Sequence, residues 1–242
     1  INADRPTFSA MKFLDPLIRG TLERRYKRFM ADVTLENGDT VVAHCANSGS
    51  MLTVKEPGSE VWLSPARNPE RKLKYTWEMI RVGRSLVGVN TAHPNTLVAD
   101  AIEKGRIAEL TGAENIRREV KYGKNSRIDV LLETAGKLTY VEVKNVTLSR
   151  EKGLAEFPDS VTARGAKHLA ELSDMVADGH RAVMLYLVQR QDCKSFTVAD
   201  DIDPVYAEAL TKAKAAGVET LCYDCRMSTG EIRIGKALTI NP

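Results

Sequence analysis

The 242-residue sequence predicts an all-β front portion followed by an α/β rear portion, and three observations predict it. From Leu17 to Asn90 the chain reads as short strands punctuated by Gly, Pro and Asn, with no convincing helix. From Asn95 onward, stretches of helical period alternate with apolar, strand-like runs. Between them, Arg127–Glu133 and Leu138–Lys144 both alternate apolar and polar residues around Ala135-Gly136, which is the pattern of a β-hairpin. With 43% hydrophobic and 28% charged residues the chain can form two small domains, expected at 11–90 and 91–242. Ile1–Ala10, ahead of Met11, are expected to form no folded element.

The front strands are expected at 17–22, 29–35, 40–45, 60–64, 75–82 and 86–90, with Asn37-Gly38 as a strong hairpin turn. Strands this short and this regularly broken predict a small OB-like β-barrel, an architecture that binds single-stranded nucleic acid or oligosaccharide. Arg24-Arg25-Tyr26-Lys27-Arg28-Phe29 interleaves four cations with two aromatics, and Arg71, Lys72 and Lys74 lie in a basic loop before Tyr75 and Trp77. These cations are read as nucleic-acid contacts, since Lys and Arg neutralise phosphates. Trp62, Tyr75 and Trp77 are read as barrel core.

In the rear portion a helix is expected from Asn95, acting as its cap, with Leu97, Val98, Ala101 and Ile102 on one face. If Gly105 does not reset the phase, Glu109 falls on that apolar stripe and joins the site. A strand at 116–122 and the hairpin follow, then a helix from about Asp159 to Asp178 with Val161, Leu169, Leu172 and Val176 inward. Arg164, Lys167 and His168 are placed on its other side, within reach of a phosphate backbone. A continuous apolar strand at 181–189 ends in Gln189, and a helix at 204–216 and a strand at 219–225 complete the portion.

The hairpin carries the chemistry. A turn centred on Ala135-Gly136 makes paired residues sum to 271, so that Asp129 meets Glu142 on one face and Lys144 follows on the same face. Ala-Gly is not the best two-residue turn, and a slip by two would preserve the shared face. Like charges so opposed are destabilising, and two cations answer them: the Lys144 ammonium, and a hydrated Mg²⁺ or Mn²⁺ held by Asp129 and Glu142. Two acids for a metal and an ammonium beside them are what phosphodiester hydrolysis requires.

Net charge is +3, divided as +4 over residues 1–90 and −1 over 91–242, which agrees with a polyanion partner for the front portion. No run approaches the roughly 18 apolar residues of a membrane span, so a cytoplasmic protein is expected. Cys45, Cys193, Cys222 and Cys225 are read as free thiols, and Cys222-x-x-Cys225 lacks the further ligands that zinc needs.

The order helix, strand, strand with Asp129, strand with Glu142-x-Lys144, helix, strand ending in Gln189 resembles the PD-(D/E)XK nuclease superfamily. That resemblance implies that Asp129 and Glu142 hold Mg²⁺ and Lys144 assists catalysis, with Glu109 and Gln189 as further site residues. The blocks Tyr26–Phe29, Asn47–Met51, Glu119–Gly123, Ser126–Asp129, Tyr140–Lys144, Phe157–Asp159 and Arg164–Leu169 resemble the bacterial sugar fermentation stimulation protein A family. This resemblance implies an OB-like domain joined to a nuclease-like domain, DNA binding without sequence preference, and a regulatory part in maltose metabolism. The leading expectation is a DNA-binding protein with a Mg²⁺-dependent cleavage site. The alternatives are a non-catalytic regulator that keeps the nuclease scaffold and an oligosaccharide-binding module.

Overall fold

The computed structural model describes residues 10–241. The expectation for Ile1–Ala10 therefore lies, except for Ala10, outside the described residues. The strands are β1 (Met11–Lys12), β2 (Ile18–Tyr26), β3 (Met30–Leu35), β4 (Thr40–His44), β5 (Glu60–Pro65), β6 (Tyr75–Val82), β7 (Ser85–Gly88), β8 (Asn115–Tyr122), β9 (Ser126–Thr134), β10 (Lys137–Val146), β11 (Leu154–Phe157), β12 (Arg181–Val188), β13 (Ser195–Val198), β14 (Glu219–Met227), β15 (Glu231–Ala237) and β16 (Thr239–Ile240). The helices are α1 (Pro94–Glu103), α2 (Ala163–Ala177) and α3 (Pro204–Ala215).

The front portion is an OB barrel. Its sheet runs β4-β3-β2-β5-β6-β7, and a parallel pairing of β4 with β6 at Ala43 and Tyr75 closes it. Leu22, Val33, Ala43, Leu63, Trp77 and Ile80 fill the interior. Trp77 is fully buried and its indole N–H donates to the Met79 carbonyl, so its ring is core, as expected, while Tyr75 packs at the margin. Met11–Lys12 leave the barrel altogether and pair with β15 of the rear sheet.

The rear portion is a mixed α/β domain whose seven-stranded sheet runs β1-β15-β14-β12-β10-β9-β8. The order α1, β8, β9, β10, α2, β12 is the expected αβββαβ, with the short β11 inserted before α2. One core lies on the α1 side and takes in Trp62 and Met79 from the barrel; the other lies under α2 and α3. The sequence pattern missed β1, β11, β13, β15 and β16, which are short or carry no clean apolar alternation.

Three boundaries differ from expectation. Pro94 takes the first turn of α1, where its missing N–H costs nothing, so His93 is the cap and the Asn95 side chain is released. Gly105 (φ +64°) stops α1, with its N–H on the Ile102 carbonyl and the Arg106 N–H on the Ala101 carbonyl. The helical phase is thus reset before Glu109. The second helix begins at Ala163 and not near Asp159: Thr162 caps α2 by accepting from the Gly165 N–H, which leaves Val161 outside the helix and exposed instead of packed inward.

All four cysteines are free and buried, and Cys222 and Cys225 pack into opposite cores of the sheet. Among the described residues no helix is long and apolar enough to cross a membrane.

Candidate active site

The hairpin register is the predicted one. Ala135 (φ +49°) and Gly136 (φ +75°) both take left-handed backbone, the type I′ requirement, and β9 pairs with β10 from Thr134↔Lys137 to Val130↔Val141. The ladder then opens one step before Asp129 would face Glu142. Beyond it β9 continues with β8 as far as Ser126, and β10 continues with β12 as far as Val146. Asp129 sits in the crotch, where its Oδ2 accepts the freed N–H of Val143 at 2.7 Å. A backbone donor that lost its strand partner is thus satisfied by the site carboxylate.

Glu142, Lys144 and His168 form a second group. Lys144 Nζ lies 2.8 Å from Glu142 Oε1, and His168 Nδ1 bonds the same oxygen. Arg164 Nε–H donates to His168 Nε2 at 3.3 Å, so the ring proton sits on Nδ1 and points at Glu142. Burial opposes ionisation of Glu142, but the His168 hydrogen bond and the Lys144 charge outweigh it and hold the carboxyl below its usual range. Asp129 goes the other way. Burial and the neighbouring Glu142 charge push it up to about 6, against the Val143 N–H and Lys144.

Glu142 Oε2 is buried and has no hydrogen-bond partner, the kind of vacancy on an ionised carboxylate that a cation fills. Asp129, Glu142 and Lys144 are therefore brought together as the sequence predicts. Glu109 is not. It lies in a short 3₁₀ turn at 108–110, where Oε2 accepts from the Tyr223 hydroxyl at 2.6 Å and its carbonyl accepts from Arg181. Gln189 faces the α1 side of the sheet, donating to Asn145 Oδ1 at 2.8 Å and the Asn90 carbonyl at 3.1 Å, away from the Glu142 side.

His168 also departs from expectation. It is buried on the inner stripe of α2 with Leu169 and Leu172, so it is part of the carboxylate cluster and not of a phosphate-facing surface. Lys167 is tethered to the Lys124 carbonyl, Ser126 Oγ and Glu171. In the barrel, Arg25 turns inward to the carbonyls of Asn47, Gly49 and Ser50, Arg24 pairs with Asp32, Arg71 donates to Thr76 and Lys74 to the Pro69 carbonyl. Lys27, Arg28 and Lys72 remain exposed, with no carboxylate partner among the described residues.

Two residues of the site escaped the sequence reading. Asn95 Nδ2 donates to Asp129 Oδ1 at 2.7 Å and to Glu119 Oε1 at 3.2 Å, and Pro94 beside it is the signal that it is not the cap. Glu119 sits across β8 from Asp129 with φ +52°, a left-handed backbone rarely adopted by a non-glycine strand residue and characteristic of functional positions. Glu171 on α2 and Tyr122 on β8 are buried, each with an unpartnered oxygen. Burial, with the charges of Glu142, Glu171 and Asp129, pushes the Tyr122 hydroxyl well above its ordinary range.

Residues 92–231 match the family model described as the sugar fermentation stimulation protein RE domain, and residues 24–89 match that of the SfsA N-terminal OB domain. The chain belongs to the sugar fermentation stimulation protein family. A homolog from Paramagnetospirillum magneticum is 60% identical over 232 residues, spanning 96% of this chain and 98% of its own. One from Rhodospirillum rubrum is 58% identical, spanning 90% and 93%. Among solved structures, one titled as Pyrococcus furiosus SfsA in complex with Ca²⁺ superposes with a TM-score of 0.87 at 28% identity, covering 96% of this chain and 98% of that one. The family's OB and RE domains thus coincide with the barrel and the split sheet.

Proposed function

We propose that this family member binds DNA without sequence preference and cleaves its phosphodiester backbone with a divalent metal held by Asp129 and Glu142. The observation that carries this reading is the split between β9 and β10, which sets a hard-to-ionise aspartate beside a glutamate with one bare, buried oxygen. The family relative titled as a Ca²⁺ complex supports it, since Ca²⁺ and Mg²⁺ both seek carboxylate oxygens.

The donor set fits: Glu142 Oε2 and the Asp129 carboxylate would hold Mg²⁺ or Mn²⁺, which supplies Lewis-acid stabilisation of phosphate charge when bound. The chain's own residues do the rest. His168 and Lys144 fix Glu142 as the ionised form through Oε1, leaving Oε2 for the cation. Asn95 and the Val143 N–H fix the plane of the Asp129 carboxylate. Lys144, partly open to solvent, carries the ammonium that neutralises charge on a phosphate oxygen and orients water.

A second reading is a DNA-binding regulator without cleavage, in line with the relatives' printed name. One observation favours it: Glu142 Oε1 is already occupied by two internal partners, Lys144 and His168. The two separate on incubation with single-stranded, duplex and branched DNA plus Mg²⁺ or Mn²⁺, beside Asp129→Ala and Glu142→Gln. Cleavage by the parent alone, with DNA binding kept in Glu142→Gln, establishes the hydrolase. Intact DNA under every condition leaves the regulator.

A further inference from the structure

A cleft of about 410 Å³ lies between the barrel and the α/β domain, beside the candidate site. Its lining includes Arg28 and Ser48 from the barrel, and Asn145, Thr147, Ser160 and Arg164 from the α/β domain. Arg164 links the cleft to the Glu142 group, since its Nε–H donates to His168 Nε2 at 3.3 Å. Its two domains are fastened across it. Ser50 Oγ donates to the Asp159 carbonyl at 2.5 Å, and the Met51 N–H donates to Asp159 Oδ2 at 2.8 Å.

The lining holds two arginines and two acids, and they differ in how they are engaged. Both acids in it are engaged within the protein: Glu156 by Arg150, and Asp159 by the Met51 N–H. Arg28 and Arg164, one from each domain, have no carboxylate partner among the described residues, and the remaining polar lining is hydroxyl and amide. Guanidinium groups without a carboxylate partner, with neutral donors around them, select phosphate.

One exposed apolar group lines the cleft, and two more follow its residues or its fastening loop in sequence. The exposed large hydrophobics of the described residues are Leu14, Phe29, Leu52, Val161 and Val205. Val161 lines the cleft, Phe29 follows Arg28, and Leu52 follows the Met51 that fastens the barrel loop. Cations flanked by an aromatic and aliphatic rim match a strand whose bases are unstacked and bare, whereas a duplex hides its base faces. The volume also decides. About 300–1,000 Å³ takes a small-molecule-sized group, room for a nucleotide or two of one strand and not for a double helix.

We infer that the interdomain cleft seats an unpaired nucleic-acid strand, with its phosphates on Arg28 and Arg164 and its bases against Phe29 and Val161. This rests on the nucleic-acid reading above and adds the substrate form: single-stranded or flapped, entering through the junction of the two domains.

The test is fluorescence anisotropy in EDTA across a KCl series, with labelled oligothymidine, oligouridine and a DNA duplex of matching length. The unpaired strand should bind about tenfold or more tightly than the duplex, and the two oligonucleotides then tell which sugar is preferred. Arg28→Gln with Arg164→Gln should lower the log–log salt slope by about 1.4, two phosphates at about 0.7 each on a single strand. Phe29→Ala should weaken the unpaired strand about tenfold and leave the duplex unchanged. Equal or tighter duplex binding, or an unaltered slope in a double variant whose circular dichroism is native, overturns the inference. EDTA silences cleavage, so a parent that never cuts DNA yet passes this test loses the hydrolase and keeps the cleft.

Discussion

Replacing Asp129 by Asn should stabilise the metal-free protein in a pH-dependent way, and the size follows from its surroundings. Burial and Glu142 raise the carboxyl from 3.8 to about 6. The folded state then holds the proton more tightly than the unfolded chain, so the group's contribution to stability is full below pH ~4 and is lost as pH rises through ~6. At pH ~8 the ionised group costs about 3 kcal/mol, and at pH ~4.5 about 1 kcal/mol. Asn removes that cost at either pH. It also loses one acceptor, since Asp129 takes hydrogen bonds from both Asn95 and Val143, a loss of about 1 kcal/mol that does not vary with pH. The variant's gain over the parent should therefore grow by about 2 kcal/mol between pH ~4.5 and ~8. Urea unfolding in EDTA at the two pH values measures this directly. A gain that stays flat with pH, or shrinks as pH rises, would refute the raised pKa and with it the crowding of Asp129 by Glu142.

Further outcomes follow from the same geometry. Ca²⁺ or Mg²⁺ competes with the Asp129 proton, so calorimetric affinity should fall about tenfold per pH unit below ~6 and level off above it. His168→Ala strips a buried carboxylate of a hydrogen bond and should destabilise the protein by about 3 kcal/mol, with His168→Gln restoring part; an unchanged urea midpoint would show that the contact is not maintained. Gly49→Ala places a Cβ 2.8 Å from Asp159 Oδ2, so the barrel loop must shift at a cost of about 1–3 kcal/mol, read as a lower Tm or a second calorimetric transition. Arg25→Ala should lower stability, because its guanidinium holds three carbonyls of that loop, whereas Lys27→Ala should leave the Tm unaltered.

Local pattern settled a large part of this protein. Alternation over 127–133 and 138–144 placed the hairpin, and turn chemistry at Ala135-Gly136 fixed its register, because a one-residue slip would turn Val130 and Leu132 to the wrong face; Ile128, beyond the split, packs into the opposite core. Short strands broken by Asn37-Gly38 and similar turns placed the barrel nearly strand for strand. Those signals are local, carried within ten residues.

What lay beyond reach depends on which distant elements meet. Nothing around residue 168 says that a histidine on α2 reaches Glu142: its place four residues before Leu172 puts it on the buried stripe, but only the packing of α2 against β10 sets it against that carboxylate. Glu109 fits the stripe of α1 by period alone, yet one left-handed glycine at 105 sends it to Tyr223. Asn95 joins Asp129 and Glu119 only because α1 packs over β8, β9 and β10, and the two sides of the cleft are joined because Asp159 is gripped by a barrel loop more than a hundred residues away. The sequence by itself determined the two domains and the three hairpin residues at their centre, through periodicity and turn propensity. Tertiary packing alone decided which charges are buried together and which remain free, because the cost of burying a carboxylate depends on neighbours that the chain brings from afar.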